Sequence, residues 1–181
     1  RVIYASPIKA LSNQKLYDMR NKFPEVSFGL LTGDCKDNPE ADVLIVTTEI
    51  LRNTLFNKLI AKEQEEEMPL AFDLDIEKDL GGVIFDEVHY INDADRGSVW
   101  EQSIMLLPPQ VQMLMLSATI DNAEDFAQWV ETEKNKQAES KGMPSKEVIL
   151  ASTSHRVVPL THYMWCHVNP GYGKKVRGDP A

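Results

Sequence analysis

The feature that most constrains this chain is a set of short, largely apolar runs at residues 2–5, 26–31, 43–46, 82–85, 111–116 and 148–151, several of which do not alternate. A strand with one wet face alternates apolar and polar side chains, whereas a strand covered on both faces is apolar throughout. The runs therefore predict a mostly parallel sheet with helices on both sides. Helical patterns fill the gaps. Residues 8–21 carry helix formers and end near Pro24, and 48–60 place Ile50, Leu51, Thr54, Leu55 and Leu59 at helical spacing. Residues 98–107 stop at Pro108-Pro109, and 122–130 put Phe126, Trp129 and Val130 on one stripe with Asp121 as cap. This βα rhythm predicts an α/β, doubly wound fold, and 181 residues suit one domain.

Charge is unevenly spread. The chain has a net charge of −9, but residues 62–79 hold eight acidic side chains against Lys62 and Lys78, leaving about −3 for the rest. That segment reads as a solvated excursion between a helix and a strand, with an acidic clamp as the alternative. The total argues against broad adhesion to polyanions, while local basic sites stay open. No run approaches the ~20 apolar residues of a membrane span, so no membrane partner is expected. Cys35 and Cys166 stand far apart and outside any CxxC pair. Neither a disulfide framework nor a zinc ribbon is indicated, and an intracellular location, cytoplasmic or nuclear, is expected. The polar stretch 131–145 reads as a loop or helix extension, and 169–181 as a loosely held tail.

The chemistry concentrates where the run 82–85 passes directly into Asp86-Glu87-Val88-His89. At the carboxyl end of a parallel strand, side chains emerge into the crevice where α/β proteins bind ligands, and two acids there can meet a hard cation such as Mg²⁺. In phosphoryl transfer Asp86 would hold the ion, mainly through water, and Glu87 would orient or deprotonate the attacking water. Taken alone, the pair more often describes a solvated acidic turn, and the accompanying motifs reverse that reading. The run 111–116 ends in Ser117-Ala118-Thr119, whose hydroxyls either reach His89 and the acids or cap a helix.

Together with residues 5–15 (Ala-Ser-Pro-Ile-Lys-Ala-Leu-Ser-Asn-Gln-Lys), Thr32-Gly33-Asp34, residues 46–52, Arg96-Gly97 and Trp100-Glu101, these motifs resemble superfamily-two DExH-box RNA helicases, most closely the exosome-associated superkiller group. The resemblance covers most of residues 2–130 in the family's motif order. It implies a RecA-like, P-loop NTPase fold and an ATP-dependent RNA helicase that uses ATP and Mg²⁺. Asp86, Glu87 and His89 fall in motif II, and Ser117 and Thr119 in motif III. Ser6, Pro7, Lys9, Asn13, Gly33, Asp34, Thr47, Thr48, Glu49 and Arg52 fall in the segments that grip the RNA backbone in the family. Strand ends feeding helix N-termini suit that role, since their amides hold phosphates without reading bases. N-capping by Thr47 and Thr48 and a surface role for Lys9 are the plainer readings. Arg96 is expected to pair with an acid such as Asp93, and Trp100 to pack on the sheet.

The phosphate-cradling Gly-x-x-x-x-Gly-Lys-Ser/Thr loop does not occur in these residues. The expectation is therefore a partial first RecA-like domain at 1–152 carrying the insertion 62–79. Residues 153–181 would lead toward a second RecA-like domain, exosome-type decay machinery would be a partner, and the 181 residues alone would have little ATPase activity. The competing readings are a non-catalytic RNA- or protein-binding module, a metal-dependent hydrolase that adds His155, and a DNA helicase.

Overall fold

The computed structural model describes residues 1–64, 74–118, 120–153, 158, 161, 163–167 and 173–177. Strands β1 (Val2–Ser6), β2 (Phe28–Leu31), β3 (Lys36–Asp37), β4 (Val43–Thr47), β5 (Gly82–Phe85) and β6 (Gln112–Met115) form one sheet in the order β3-β2-β4-β1-β5-β6. All neighbouring pairs are parallel except β2 with β3. The helices are α1 (Lys9–Lys22), α2 (Thr48–Gln64), α3 (Gly97–Leu106) and α4 (Ala123–Ser140), with a 3-10 turn at Val88–Asn92. The expected α/β architecture is the one observed.

Both sheet faces are covered, which explains the apolar strands. Ile3, Leu44, Val46, Val83 and Phe85 pack with Leu51, Trp100 and Ile104 on one side, and the Phe85 and Trp100 rings lie 5.9 Å apart. Tyr4, Leu30 and Ile45 pack with Leu16 and Met19 of α1 on the other. Successive side chains along a strand point to opposite faces, which divides the buried apolar residues between the two.

Register then sets the functional edge. Ser6 pairs with Thr47, Ala5 with Phe85, and Phe85 with Met115. The carboxyl ends of β4, β1, β5 and β6 consequently stand side by side.

Several boundaries differ from expectation. Residues 148–151 form no strand: Ile149 is 82% exposed, and the Val148 amide donates to the Glu131 carboxylate of α4 at 2.7 Å instead of to a ladder partner. Helix α4 runs through the polar stretch to Ser140, and its N-cap is Asn122, not Asp121, without a side-chain capping bond. β3 was not anticipated. Its hairpin closes so tightly that a Cβ on Gly29 would lie 2.1 Å from the Asn38 carbonyl oxygen. The acidic excursion is partly anchored, since Leu74, Ile76 and Leu80 are buried in the core; residues 65–73 lie outside the described residues. Residues Leu150–Ala181 form a separate unit, in which β7 (Tyr163–His167) and β8 (Gly173–Arg177) pair antiparallel, so that β8 falls within the stretch 169–181 expected as a loose tail. Among the described residues no helix is long and apolar enough to cross a membrane.

Candidate functional site

The turn after β5 is pinned from both sides. The Asp86 amide donates to the Ala5 carbonyl at 2.9 Å, Leu116 to Phe85 at 2.8 Å, and Val88 to Leu116 at 2.9 Å. Between these anchors Glu87 adopts φ 57°, ψ 46°, a left-handed conformation that costs a non-glycine residue about 1–2 kcal/mol. The Glu87 amide donates to Asp86 Oδ1 at 3.1 Å. Strain of this kind persists only where the surroundings over-determine it, and here it directs two consecutive carboxylates out of the sheet edge.

Asp86 is held by groups absent from the sequence expectation. The Tyr4 hydroxyl, on the neighbouring strand, donates to Asp86 Oδ2. Lys15 Nζ lies 3.9 Å from the same oxygen and 5.3 Å from the centre of the Tyr4 ring. Burial foremost, and then the Asp86 carboxylate, push the Tyr4 hydroxyl far above its ordinary pKa, so it remains a donor. His89 Nδ1 stands 3.4 Å from Glu87 Oε2 and 3.4 Å from Ser117 Oγ, bridging the β5 and β6 ends. The structure thus brings Asp86, Glu87, His89 and Ser117 together; Thr119 lies outside the described residues.

The two acids fit a magnesium ion. Among the described residues no group of three or more His, Cys, Asp or Glu gathers as a metal cage. One or two carboxylates, completed by water and phosphate oxygens, is how Mg²⁺ is ordinarily held, whereas zinc takes three or four protein ligands. His155 of the hydrolase alternative lies outside the described residues.

The residues expected to touch nucleic acid fall into two groups. Ser6, Pro7, Thr47 and Thr48 are buried, and Thr48 Oγ1 donates to the Ser6 carbonyl at 3.3 Å, so these residues join β1 to the start of α2. Lys9, Asn13, Gly33 and Asp34 are exposed. Lys9 Nζ pairs with Asp34 at 2.8 Å, and this lysine and the Thr32 hydroxyl hold the Asp34 carboxyl below its ordinary pKa. Arg52 is half-buried, with its Nε lacking a hydrogen-bond partner among the described residues.

Arg96 pairs with an acid, as expected, but with Glu49 in place of Asp93. Its backbone amide donates to Asp93 Oδ1 at 2.9 Å, but its guanidinium reaches past Asp93 to Glu49 of α2 and to the Pro7 carbonyl. Gly97 makes this possible: a Cβ there would stand 2.2 Å from the Ile91 carbonyl oxygen, so only glycine lets α3 start against the 3-10 turn. A tyrosine in an apolar strand and a lysine on the next helix are common enough that neither Tyr4 nor Lys15 stood out in the sequence. Nothing local pointed Arg96 at Glu49.

The family described as DEAD/DEAH box helicase matches residues 1–126. Superkiller complex protein 2 of Mus musculus is 46% identical over 94% of this chain and 12% of its own length. The antiviral helicase SKI2 of Saccharomyces cerevisiae is 43% identical over 91% of this chain and 11% of its own. The exosome RNA helicase MTR4 of Homo sapiens is 42% identical over 91% and 13%. The chain therefore spans about an eighth of the length of these curated relatives. With most of the sheet and the strand-end acids inside the matched region, this chain belongs to the DEAD/DEAH box helicase family.

Proposed function

We propose that this chain is the part of an ATP-dependent RNA helicase that carries the hydrolytic carboxylates and one wall of the RNA path, acting in RNA processing or decay. The observation that carries the reading is the shared edge: Asp86, Glu87, His89 and Ser117 converge beside the strand ends that lead into Lys9 and Glu49. Family membership supports ATP as the nucleotide, and the relatives' names, an antiviral helicase and an exosome RNA helicase, support RNA as substrate. Residues 1–152 would form the RecA-like domain, working against a second such domain in a cytoplasmic or nuclear protein that serves exosome-type decay machinery.

In this reading Mg²⁺ bound with ATP neutralises phosphate charge, and Asp86 and Glu87 are the residues that would hold it, mainly through water. Tyr4 and Lys15 fix the Asp86 carboxylate so that it need not reorganise when charge develops. Glu87, aimed outward by its left-handed backbone, accepts a proton from the attacking water. His89 and Ser117 relay the position of Glu87 to the end of β6. Exposed Lys9 and Asn13 and the Gly33-Asp34 loop contact RNA phosphates, while buried Ser6, Thr47 and Thr48 set the path's shape. The test is the Glu87→Gln substitution in the parent protein. RNA-stimulated ATP hydrolysis should fall by about 10²–10⁴-fold, the usual worth of a positioned general base. Unchanged turnover removes Glu87 from this role.

A further inference from the structure

Arg96 is a polar residue of this edge to which the mechanism above gives no task. It leaves the 3-10 turn that follows Asp86-Glu87 and bonds two elements of the RNA path at once, the Pro7 carbonyl at the end of β1 and the Glu49 carboxylate in the first turn of α2. We propose that Arg96 is a positioning residue of the nucleic-acid interface, one that neutralises Glu49 and ties both strand ends to the acidic turn; the identity of the ligand rests on the helicase reading.

Three observations carry the proposal. The first is charge. Glu49 stands at the start of α2, where free amides and the helix dipole favour an anion, and a bare carboxylate there would repel phosphate. The side chains of Arg96 and Glu49 are about one-third exposed, so the charge on Glu49 is felt at the surface unless it is paired. The second is shape. A guanidinium is a fork that can serve a carboxylate and a carbonyl together, which a lysine ammonium does less well. The third is fixation. Arg96 is clamped by its own amide on Asp93 Oδ1 and by the Gly97 amide on the Asp93 carbonyl at 2.8 Å, and its guanidinium carbon lies 5.9 Å from the Tyr90 ring centre. Such clamping is more than a solvated surface arginine needs. It makes the hydrolytic turn and the ends of β1 and β4 move as one body.

The experiment uses the 181-residue chain and fluorescein-labelled single-stranded oligouridine, with affinity read by anisotropy at low salt and folding by thermal melting. Arg96→Gln, which strands the Glu49 charge, should weaken binding about tenfold or more. Glu49→Gln should tighten it by about threefold, and Arg96→Gln/Glu49→Gln should recover to within about threefold of the unsubstituted chain. Arg96→Lys, which keeps the charge without the fork, should lose less than Arg96→Gln. A double variant as weak as Arg96→Gln, with melting unchanged, overturns the proposal and leaves the helicase reading standing. If Arg96→Gln does not fold, Arg96→Lys decides, alone and combined with Glu49→Gln: a loss in the folded Lys variant that Glu49→Gln relieves supports the proposal, and an unchanged affinity or a loss that Glu49→Gln does not relieve overturns it. Failure of the unsubstituted chain to bind RNA at all overturns the reading of this edge as an RNA path, and the proposal with it.

Discussion

A tyrosine hydroxyl inside a sheet needs an acceptor, and Tyr4 finds one on Asp86 across the strand pair. Tyr4→Phe keeps the packing and removes the donor, leaving Asp86 Oδ2 with Lys15 at 3.9 Å. Because the Asp86 side chain is only one-fifth exposed, water replaces the bond poorly, and a stability loss of about 1–2 kcal/mol is expected in urea denaturation. Equal stability of the Phe variant means the hydroxyl does not hold the carboxylate. This contact shows where residue-level legibility ends. Asp86, Glu87 and His89 were readable because acids directly after an apolar run demand a reason. Tyr4 was not, since a tyrosine in a strand reads as ordinary β-preference and its partner lies 82 residues away. The same holds for Arg96, whose partners lie 47 and 89 residues away.

At the scale of elements, strands and helices were legible wherever burial follows the repeat, and failed where side chains replace ladder partners. Residues 148–151 look like a strand, but the Val148 amide bonds the Glu131 carboxylate. Helix α4 takes the helix-extension reading of the stretch after 130, because its second half docks through a polar residue. Lys134, 6% exposed, donates to the carbonyl of Leu107 at 2.6 Å and to that of Met105 at 3.4 Å, so it caps the last turn of α3. Burial foremost, with Lys141 adding repulsion, pushes the Lys134 ammonium down to about 8. An unfolded lysine titrates near 10.4, so between about pH 8 and 10.4 the unfolded chain binds more protons and stability should rise with pH. At ~1.4 kcal/mol per pKa unit the rise attributable to this group is at most about 3 kcal/mol. Urea denaturation at pH 7.5 and 10 should show the rise in the chain and its loss in Lys134→Met. Equal slopes would return Lys134 to its ordinary value.

For the molecule as a whole, the sheet order puts chemistry and grip on one edge, while the sequence stretch 62–79 accounts for most of the net charge of −9. These 181 residues contain no Gly-x-x-x-x-Gly-Lys-Ser/Thr loop, so the carboxylates have nothing to position a triphosphate against. Phosphate release by the chain alone should stay at background with ATP and RNA; turnover that Glu87→Gln abolishes would show that positioning comes from elsewhere in the chain. Three non-glycine residues in the described chain have positive φ: Asn38, Asn122 and Glu87. Asparagine takes that shape readily, whereas glutamate does not, and a β-branched residue would be a severe outlier there. The backbone at 87 therefore screens replacements before chemistry does. A dead Val variant would report a broken turn, whereas a dead Gln variant, equal in shape, reports the missing carboxylate.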